Sequence, residues 1–131
     1  MYKPYPELLK NLLFIVNTLK PGAISKILKI IIPKLNGFEI SIISLEDSPI
    51  ELSNYSNNYN CNTISINSNR LNIFNTIYKL RKMIVRVDPD IIHSHMGRSD
   101  IFSAICKPKK TKLVNTMHTM KRFTWSNGLF N

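Results

Sequence analysis

Short hydrophobic runs alternate with amphipathic stretches along most of the chain. Strand-like runs lie at 12–16 (LLFIV), 38–45 (FEISIISL), 61–66 (CNTISI), 91–95 (IIHSH) and 113–118 (LVNTMH). The first run is apolar throughout, which is typical of a strand buried on both faces of a parallel sheet. The pattern therefore predicts five strands separated by helices or loops.

Two long amphipathic helices are predicted between these runs. Apolar residues recur at steps of three and four over 24–35, and the Asn-Gly pair at 36–37 ends that helix. A second apolar stripe extends over 71–87 and predicts the longer helix. The other face of this second helix carries four basic residues: Lys79, Arg81, Lys82 and Arg86.

A short helix is predicted at 100–106 with Ser99 as its cap, whereas the polar stretch 46–60 has no period and is predicted as a loop. Strands that alternate with helices imply right-handed crossovers. The expected fold is therefore α/β: a Rossmann-like, doubly wound parallel sheet of about five strands with helices on both faces. Residues 1–11 are expected to form an N-terminal extension to this single domain at 12–131.

The predicted order of elements also locates a candidate site. In doubly wound sheets, ligands bind beyond the carboxyl ends of the strands, where the strand order reverses. Five segments are expected along that rim: 18–22, 46–47, 67–69, 95–100 and 118–119.

Three histidines lie on the predicted strands near this rim. His93 and His95 are two residues apart and should point to the same face of their strand. His95 is expected at the open crevice and His93 deeper, as a packed residue, while His118 ends the next strand. A zinc site fits the residue type, but no cysteine or carboxylate has a clear ligand spacing. Substrate contact and packing without chemistry both remain open from the spacing alone.

Two predicted helix starts are candidates for anion binding. The turn LKPGAIS at 19–25 opens a helix directly after the first strand, and Gly22 allows a ligand to approach the backbone closely. The second, MGRSD at 96–100, contributes Arg98, whose guanidinium suits a phosphate or a carboxylate but equally suits an ordinary surface position. Neither a GxGxxG nor a P-loop fingerprint is present.

The formal charge of +10 is concentrated in the second half of the chain. Residues 66–131 hold twelve Lys or Arg against three Asp, which gives +9. A basic half of this kind attracts phosphates of nucleotides, nucleic acids or anionic lipids. The chain has no apolar run approaching the ~20 residues of a spanning helix, and its start is a poor signal peptide. A cytoplasmic location, with a membrane surface as a further contact, is therefore expected.

The two cysteines form no CxxC pair. Cys106 falls on an apolar helical pattern and is predicted to be a small core residue. We therefore expect no dependence on disulfide bonds.

Four stretches together resemble the N-terminal half of glycosyltransferase family 4, whose members are GT-B enzymes with two Rossmann-like domains. They are LLFIVNTLKPGAISKILKIIIPKL, FEISIISL, KLRKMIVRVDPDIIHSHMGRSDIFSAIC and KLVNTMHTMKR. The resemblance covers most of residues 12–122. Its most specific parts are PDIIHSH followed by a helix and the T-x-H that ends the fifth strand. The resemblance implies an incomplete GT-B N-terminal domain.

The same resemblance implies a function. The family transfers a sugar, with retention of anomeric configuration, from a nucleotide-sugar to a glycan or lipid-linked acceptor. It typically does so without a bound metal ion, and the nucleotide-sugar is a substrate rather than a cofactor. The N-terminal domain mainly shapes the acceptor site, whereas the C-terminal domain binds the donor.

Carried over by position, the resemblance also assigns site residues. Pro21 and Gly22 would form the loop that faces the cleft. His118 would match the histidine beside the reacting sugar and is the catalytic candidate. Four residues would line the acceptor side: His95, Arg98, Ser99 and Asp100.

The sequence departs from the family pattern in two ways. The first loop usually reads Gly-Gly-Ala-Glu, but here Ala23 replaces the second glycine and Ser25 the acid. The pair of glutamates with seven residues between them (Glu-x7-Glu) that marks the donor site has no counterpart in this chain. We therefore expect a truncated fragment that is inactive until a donor-binding domain is supplied.

A stand-alone basic module without catalysis is the alternative hypothesis. Its partner would be anionic lipid or nucleic acid. Nucleic acid is the less favoured of the two, because Phe123 and Trp125 lie in the tail and no stacking platform is evident on the strands. The basic helix face at 79–86 suits a lipid surface.

Overall fold

Five parallel strands and their connecting helices form the part of the chain described by a computed structural model, residues 8–58, 61–69 and 71–116. The strands are β1 (Lys10–Val16), β2 (Phe38–Ser44), β3 (Asn62–Ser65), β4 (Ile91–His95) and β5 (Lys112–Thr116). The helices are α1 (Ala23–Ile31), α2 (Pro49–Asn58), α3 (Ile73–Val87) and α4 (Arg98–Cys106). A 3₁₀ turn, Ile32–Lys34, extends α1, because Pro33 has no N–H to continue the helix.

The strand order is β3-β2-β1-β4-β5, and every neighbouring pair is parallel. Strands β2 and β3 are thus added on one side of β1, and strands β4 and β5 are added on its other side. This arrangement confirms the predicted doubly wound, Rossmann-like sheet and places its switch point between β1 and β4.

Two hydrophobic clusters cover the two faces of the sheet. Alternate residues of β1 divide between them: Phe14 packs in a cluster with Leu28 of α1 and Leu52 of α2. Ile15 packs in the other cluster, with residues of α3 and α4. The period of two along the strand thus sends successive apolar side chains to opposite layers, which explains why β1 is apolar throughout.

The carboxyl ends of the strands lie in one row. Val16 of β1 pairs with Ser44 of β2 on one side and with His95 of β4 on the other. Ser44 in turn pairs with Ser65 of β3, and His95 pairs with Thr116 of β5. The loops that follow β1, β2, β3 and β4 therefore leave the same edge of the sheet, as the sequence predicts.

Three differences from the predicted elements exceed small shifts of their ends or change the capping residue. Residues 46–60 are not a continuous loop, because α2 forms there and buries Leu52. A single buried apolar side chain does not produce a helical period that can be recognised in the sequence. The start of α2 does carry a capping box, in which Ser48 and Glu51 bond each other's backbone N–H groups. Strand β1 begins at Lys10 rather than at residue 12. Helix α4 is capped by Gly97, and Ser99 lies inside it.

Cys61 and Cys106 are both free thiols. Cys106 is only 6% exposed and belongs to the core cluster beneath α3 and α4, which confirms its prediction as a small core residue. Among the residues described, no helix has the length and apolar character needed to cross a membrane.

Candidate ligand site at the carboxyl rim

The switch point brings two loops together from opposite sides of the sheet. The β1–α1 loop leads to a helix on one face, whereas the β4–α4 loop leads to a helix on the other face. Adjacent strands whose connections diverge in this way leave a crevice between their loops. Pro21 and Gly22 lie on the first loop, and Arg98 begins the helix after the second.

Asp47 holds the β1–α1 loop in place. Asp47 is 1% exposed, and its carboxylate accepts three hydrogen bonds. The donors are the Thr18 hydroxyl at 2.6 Å, the Leu19 N–H at 2.6 Å and the Ser44 hydroxyl at 2.8 Å. Because ionised acceptors form the stronger hydrogen bonds, these contacts tie the loop firmly to the end of β2.

Asp47 lies in a segment that the sequence places at the rim, but sequence reasoning did not select it. Its main chain is also fixed, because the Ser65 hydroxyl donates to the Asp47 carbonyl at 2.5 Å. One feature of the sequence could have indicated this role: Asp47 lies three residues after Ser44, which ends the buried strand β2. Such a residue commonly bonds backbone N–H groups in a turn.

Gly22 caps α1 and is exposed to solvent together with Pro21. Its φ of 173° is extended backbone that any residue adopts, and a Cβ added there would lie 3.7 Å from the Lys20 carbonyl oxygen, an ordinary contact. Ser25 is 2% exposed and its hydroxyl bonds both the N–H and the carbonyl of Gly22. Ser25, at the position where the family has its acid, therefore serves to shape the loop.

His93 and His95 share one face of β4, as predicted, and their rings stack with centroids 4.4 Å apart at 25°. Both rings also contact Phe14, with centroids at 5.3 and 5.8 Å. His95 is only 1% exposed, whereas His93 is partly exposed and its Nε2 lies 2.5 Å from Thr116 Oγ1. The expectation that His93 is the deeper residue and His95 the open one is therefore wrong.

The physical reason is that depth along a strand does not determine depth below the surface. Leu19 of the β1–α1 loop is 8% exposed and packs with Phe14 and Val16 beyond the end of β1, the strand beside His95. The end of a strand is therefore as buried as the loops that fold over it, and those loops come from elsewhere in the chain.

Arg98 and Glu46 form an ion pair at this rim. The guanidinium Nη1 lies 3.5 Å from the Glu46 Oε1, and both side chains are about a quarter exposed, at 26% and 27%. The Arg98 guanidinium also lies over the Phe102 ring at 5.4 Å from its centroid. Because Glu46 follows β2 and Arg98 follows β4, the pair extends past the carboxyl end of the intervening β1.

Ser99 and Asp100 have their polar atoms engaged within the fold. Ser99 is fully buried and its hydroxyl contacts the carbonyls of His95 and Met96 at 2.6 and 2.7 Å. The Ser94 hydroxyl donates to Asp100 Oδ1 at 2.6 Å and so anchors the first turn of α4 to the sheet. The two residues therefore position Arg98 within the rim.

The remaining predicted site residue, His118, lies outside the described residues. Within 8–58, 61–69 and 71–116, no group of three His, Cys, Asp or Glu side chains is arranged to hold a metal ion. The described rim instead offers an exposed glycine loop and a partly exposed guanidinium. This chemistry suits a ligand that carries hydroxyl and anionic groups.

Comparisons with known proteins agree with this fold. A family model described as "Glycosyl transferase 4-like" matches residues 23–129. Among solved structures, the chain is similar to a glycosyltransferase from Rickettsia africae ESF-5, with a TM-score of 0.56 and 21% sequence identity. The match covers 89% of this chain and 32% of the other, so the chain spans about a third of that structure. No curated protein matches the chain.

Proposed function

The chain belongs to the glycosyl transferase 4-like family, and we propose that it forms the acceptor-side part of a retaining glycosyltransferase. The reaction moves a hexose from a nucleotide-sugar to a glycan or lipid-linked acceptor. The observation that carries the proposal is the row of strand ends at the rim, with Gly22 on the β1–α1 loop and Arg98 at the start of α4 beside the switch point.

Chemically, an acceptor hydroxyl attacks the anomeric carbon of the donor sugar. A bond forms between the acceptor oxygen and this carbon, and the bond from the carbon to the diphosphate oxygen breaks. The hydroxyl proton passes to the departing nucleoside diphosphate. The main contribution of this chain is to hold the acceptor in position, which lowers the entropic part of the barrier.

The rim residues divide into two groups in this proposal. Pro21, Gly22 and Arg98 contact the acceptor, because Pro21 and Gly22 are exposed and Arg98 is partly exposed beside the switch point. His118 contacts the donor sugar beside the reacting carbon. His95, Ser99 and Asp100 support these contacts from below: His95 and Ser99 are buried, the Ser99 hydroxyl donates to the His95 carbonyl, and Asp100 accepts from the Ser94 hydroxyl.

Donor binding requires a second domain. The family's donor glutamates have no counterpart in these residues, and the chain covers 32% of the similar solved glycosyltransferase. We propose that the nucleotide-sugar is bound by a domain supplied in addition to these 131 residues. The chain by itself would then bind an acceptor without completing turnover.

A hybrid enzyme tests this proposal. The chain is joined in frame to the part of the Rickettsia africae glycosyltransferase that it does not cover. Labelled nucleotide-hexoses and a membrane lipid extract are supplied as substrates. We expect label in the lipid fraction from the hybrid and from neither half alone. NMR of the product should show the anomeric configuration of the donor.

Two variants of the hybrid test whether Arg98 contacts the acceptor. Arg98→Gln in the hybrid should raise the KM for the acceptor, whereas Lys34→Gln, an exposed change beyond the far end of α1, should leave it unchanged. The unmodified Rickettsia africae enzyme serves as the positive control for the extract. A hybrid that folds and binds nucleotide-hexose but transfers nothing, while this control transfers, contradicts the proposal. An inverted product contradicts its retaining chemistry.

A further inference from the structure

Helix α3 carries a strip of large apolar side chains on the side that faces away from the sheet. Phe74, Tyr78 and Val85 are 86%, 66% and 73% exposed. At 100° per residue these three positions lie within about 40° of one another around the helix. Leu80 and Ile84, by contrast, are buried against the sheet. The exposed strip is therefore a second apolar face that the core does not require.

Helix α4, which lies beside α3, adds two further exposed apolar side chains to this strip. Ile101 and Ile105 are 63% and 46% exposed, and the two helices are joined where Arg81 donates to the Ile105 carbonyl at 3.4 Å. We define the α3–α4 face by the five apolar residues Phe74, Tyr78, Val85, Ile101 and Ile105. A shallow groove of about 650 Å³ runs along its α3 side, where Lys82 and Arg86 are also part of the lining.

The charge of this face has one sign. The sequence of α3 contains four Lys or Arg residues and no Asp or Glu. Lys82 and Arg86 are exposed and lie beside the apolar strip. Apolar side chains flanked by cations on one helix are the pattern of a helix that lies in the interface of an anionic membrane.

We propose that the α3–α4 face docks onto an anionic lipid bilayer. The apolar side chains enter the headgroup region, while Lys82 and Arg86 contact lipid phosphates. Both helices begin at the carboxyl rim, so Phe74 and Ile101, in their first turns, lie at the rim end of the docked face. The proposal rests on this face alone and does not depend on which acceptor the rim binds.

Other occupants fit the face less well. A second copy of the chain would bring two sets of like charges together. Residues 117–131 contain Lys121 and Arg122 and no acid, so they do not complement the charge either. Nucleic acid would satisfy the cations but offers no apolar phase for Val85, Ile101 and Ile105.

Vesicle flotation with the full 131-residue chain tests the proposal. Vesicles of phosphatidylcholine alone are compared with vesicles that also contain phosphatidylglycerol. We expect binding to the anionic vesicles only. Lys82→Gln with Arg86→Gln should weaken it about 25-fold, because each basic side chain near an anionic surface contributes about fivefold. Phe74→Gln with Val85→Gln keeps good helix formers on α3 and should weaken binding at least about tenfold.

Matched changes on α1, which packs on the opposite face of the sheet, serve as controls. Lys26→Gln with Lys29→Gln removes two exposed cations, and Ile30→Gln removes an apolar side chain that is 61% exposed. Both should bind vesicles like the unaltered chain, and circular dichroism should show all variants folded. The proposal is overturned by equal losses in the α1 controls, by no loss in the Phe74 and Val85 variant, or by binding to an oligonucleotide but not to vesicles. Dimerisation that is abolished by Phe74→Gln would also overturn it.

Discussion

The guanidinium of Arg98 lies 3.5 Å from the carboxylate of Glu46, although 52 positions separate the two residues in the chain. Strands β2 and β4 flank β1, so the pair joins the loops on either side of the central strand. It therefore holds in place the one guanidinium described at the candidate site.

A double-mutant cycle measures this ion pair. Glu46→Gln, Arg98→Gln and the double variant should give a coupling energy of about 0.5–1 kcal/mol in the free energy of unfolding, because the pair is partly shielded from water. The Lys20–Glu51 pair provides the comparison, since its atoms lie 3.7 Å apart and its side chains are 65% and 46% exposed. Its coupling should be closer to zero. Urea unfolding measures both, and equal couplings would show that the Arg98 pair has no special role.

Asp47 should matter far more for stability than its position in a loop suggests. Asp47→Asn replaces an acceptor of three hydrogen bonds and turns an N–H group toward donors. We expect the free energy of unfolding to fall by about 2–3 kcal/mol. The control is Glu39→Gln, which removes an exposed carboxylate near the amino end of β2. It should change the free energy of unfolding by less than about 0.5 kcal/mol. A similarly small effect at Asp47 would mean that the carboxylate does not brace the β1–α1 loop.

The two glycines at the rim should respond differently to alanine. Gly97 has a φ of +52°, in the region that favours glycine, so Gly97→Ala should cost about 1–3 kcal/mol of unfolding free energy through backbone strain alone. Gly22 is extended and has room for a Cβ, so Gly22→Ala should change stability by less than about 0.5 kcal/mol.

Gly22→Ala should nevertheless raise the KM for the acceptor in the hybrid enzyme. The added Cβ would separate a ligand from the backbone of this loop without disturbing the fold. Thermal unfolding and acceptor titration together distinguish the two roles. An unchanged KM would remove Gly22 from the acceptor site while leaving the structural argument about Gly97 intact.

The Cys106 thiol should be unreactive in the folded chain. Burial raises the pKa of this thiol above its ordinary value of 9.0, and the nearby Arg81 only partly opposes this effect. The raised pKa contributes stability that is fully present below pH 9.0, the ordinary value, and is lost as pH rises through the folded-state pKa.

Alkylation kinetics check this prediction. In a Cys61→Ser variant, Cys106 is the only thiol left, and at pH 8 it should react with iodoacetamide at least about tenfold more slowly than in the urea-unfolded chain. The rate should rise as the solution becomes more alkaline. Equal rates in folded and unfolded chains would place Cys106 outside the core.

Sequence reasoning was most successful where one element carries its own repeated signal. The all-apolar run at 12–16, the stripe over 71–87 and the IIHSH run at 91–95 correspond to β1, α3 and β4. Each signal repeats along several turns or strand positions, so a local reading is enough. Helix α2 was not predicted, because it has no repeated apolar signal. Among its residues whose side chains are described, Leu52 is the one that packs in the core.

The candidate site was predictable in outline and not in detail. Parallel pairing required the strand ends to meet at one edge, and the register of Val16 with Ser44 and His95 shows that they do. The relative burial of His93 and His95, the engagement of Ser99 with backbone carbonyls and the bracing role of Asp47 were not foreseen. Each depends on a partner that lies on another element or in a turn whose shape has no periodic signal.

By itself, the sequence determined the five strands and the helices other than α2, that the sheet is parallel, and therefore which edge carries the candidate ligand site. These properties follow from local periodicity and from the handedness of the crossovers, which act within one element or between neighbours. Only the tertiary structure decided which side chains at that edge remain exposed and free to contact a ligand. Burial and hydrogen bonding at a rim are set by loops that come from distant parts of the chain, and no local pattern encodes where those loops fold.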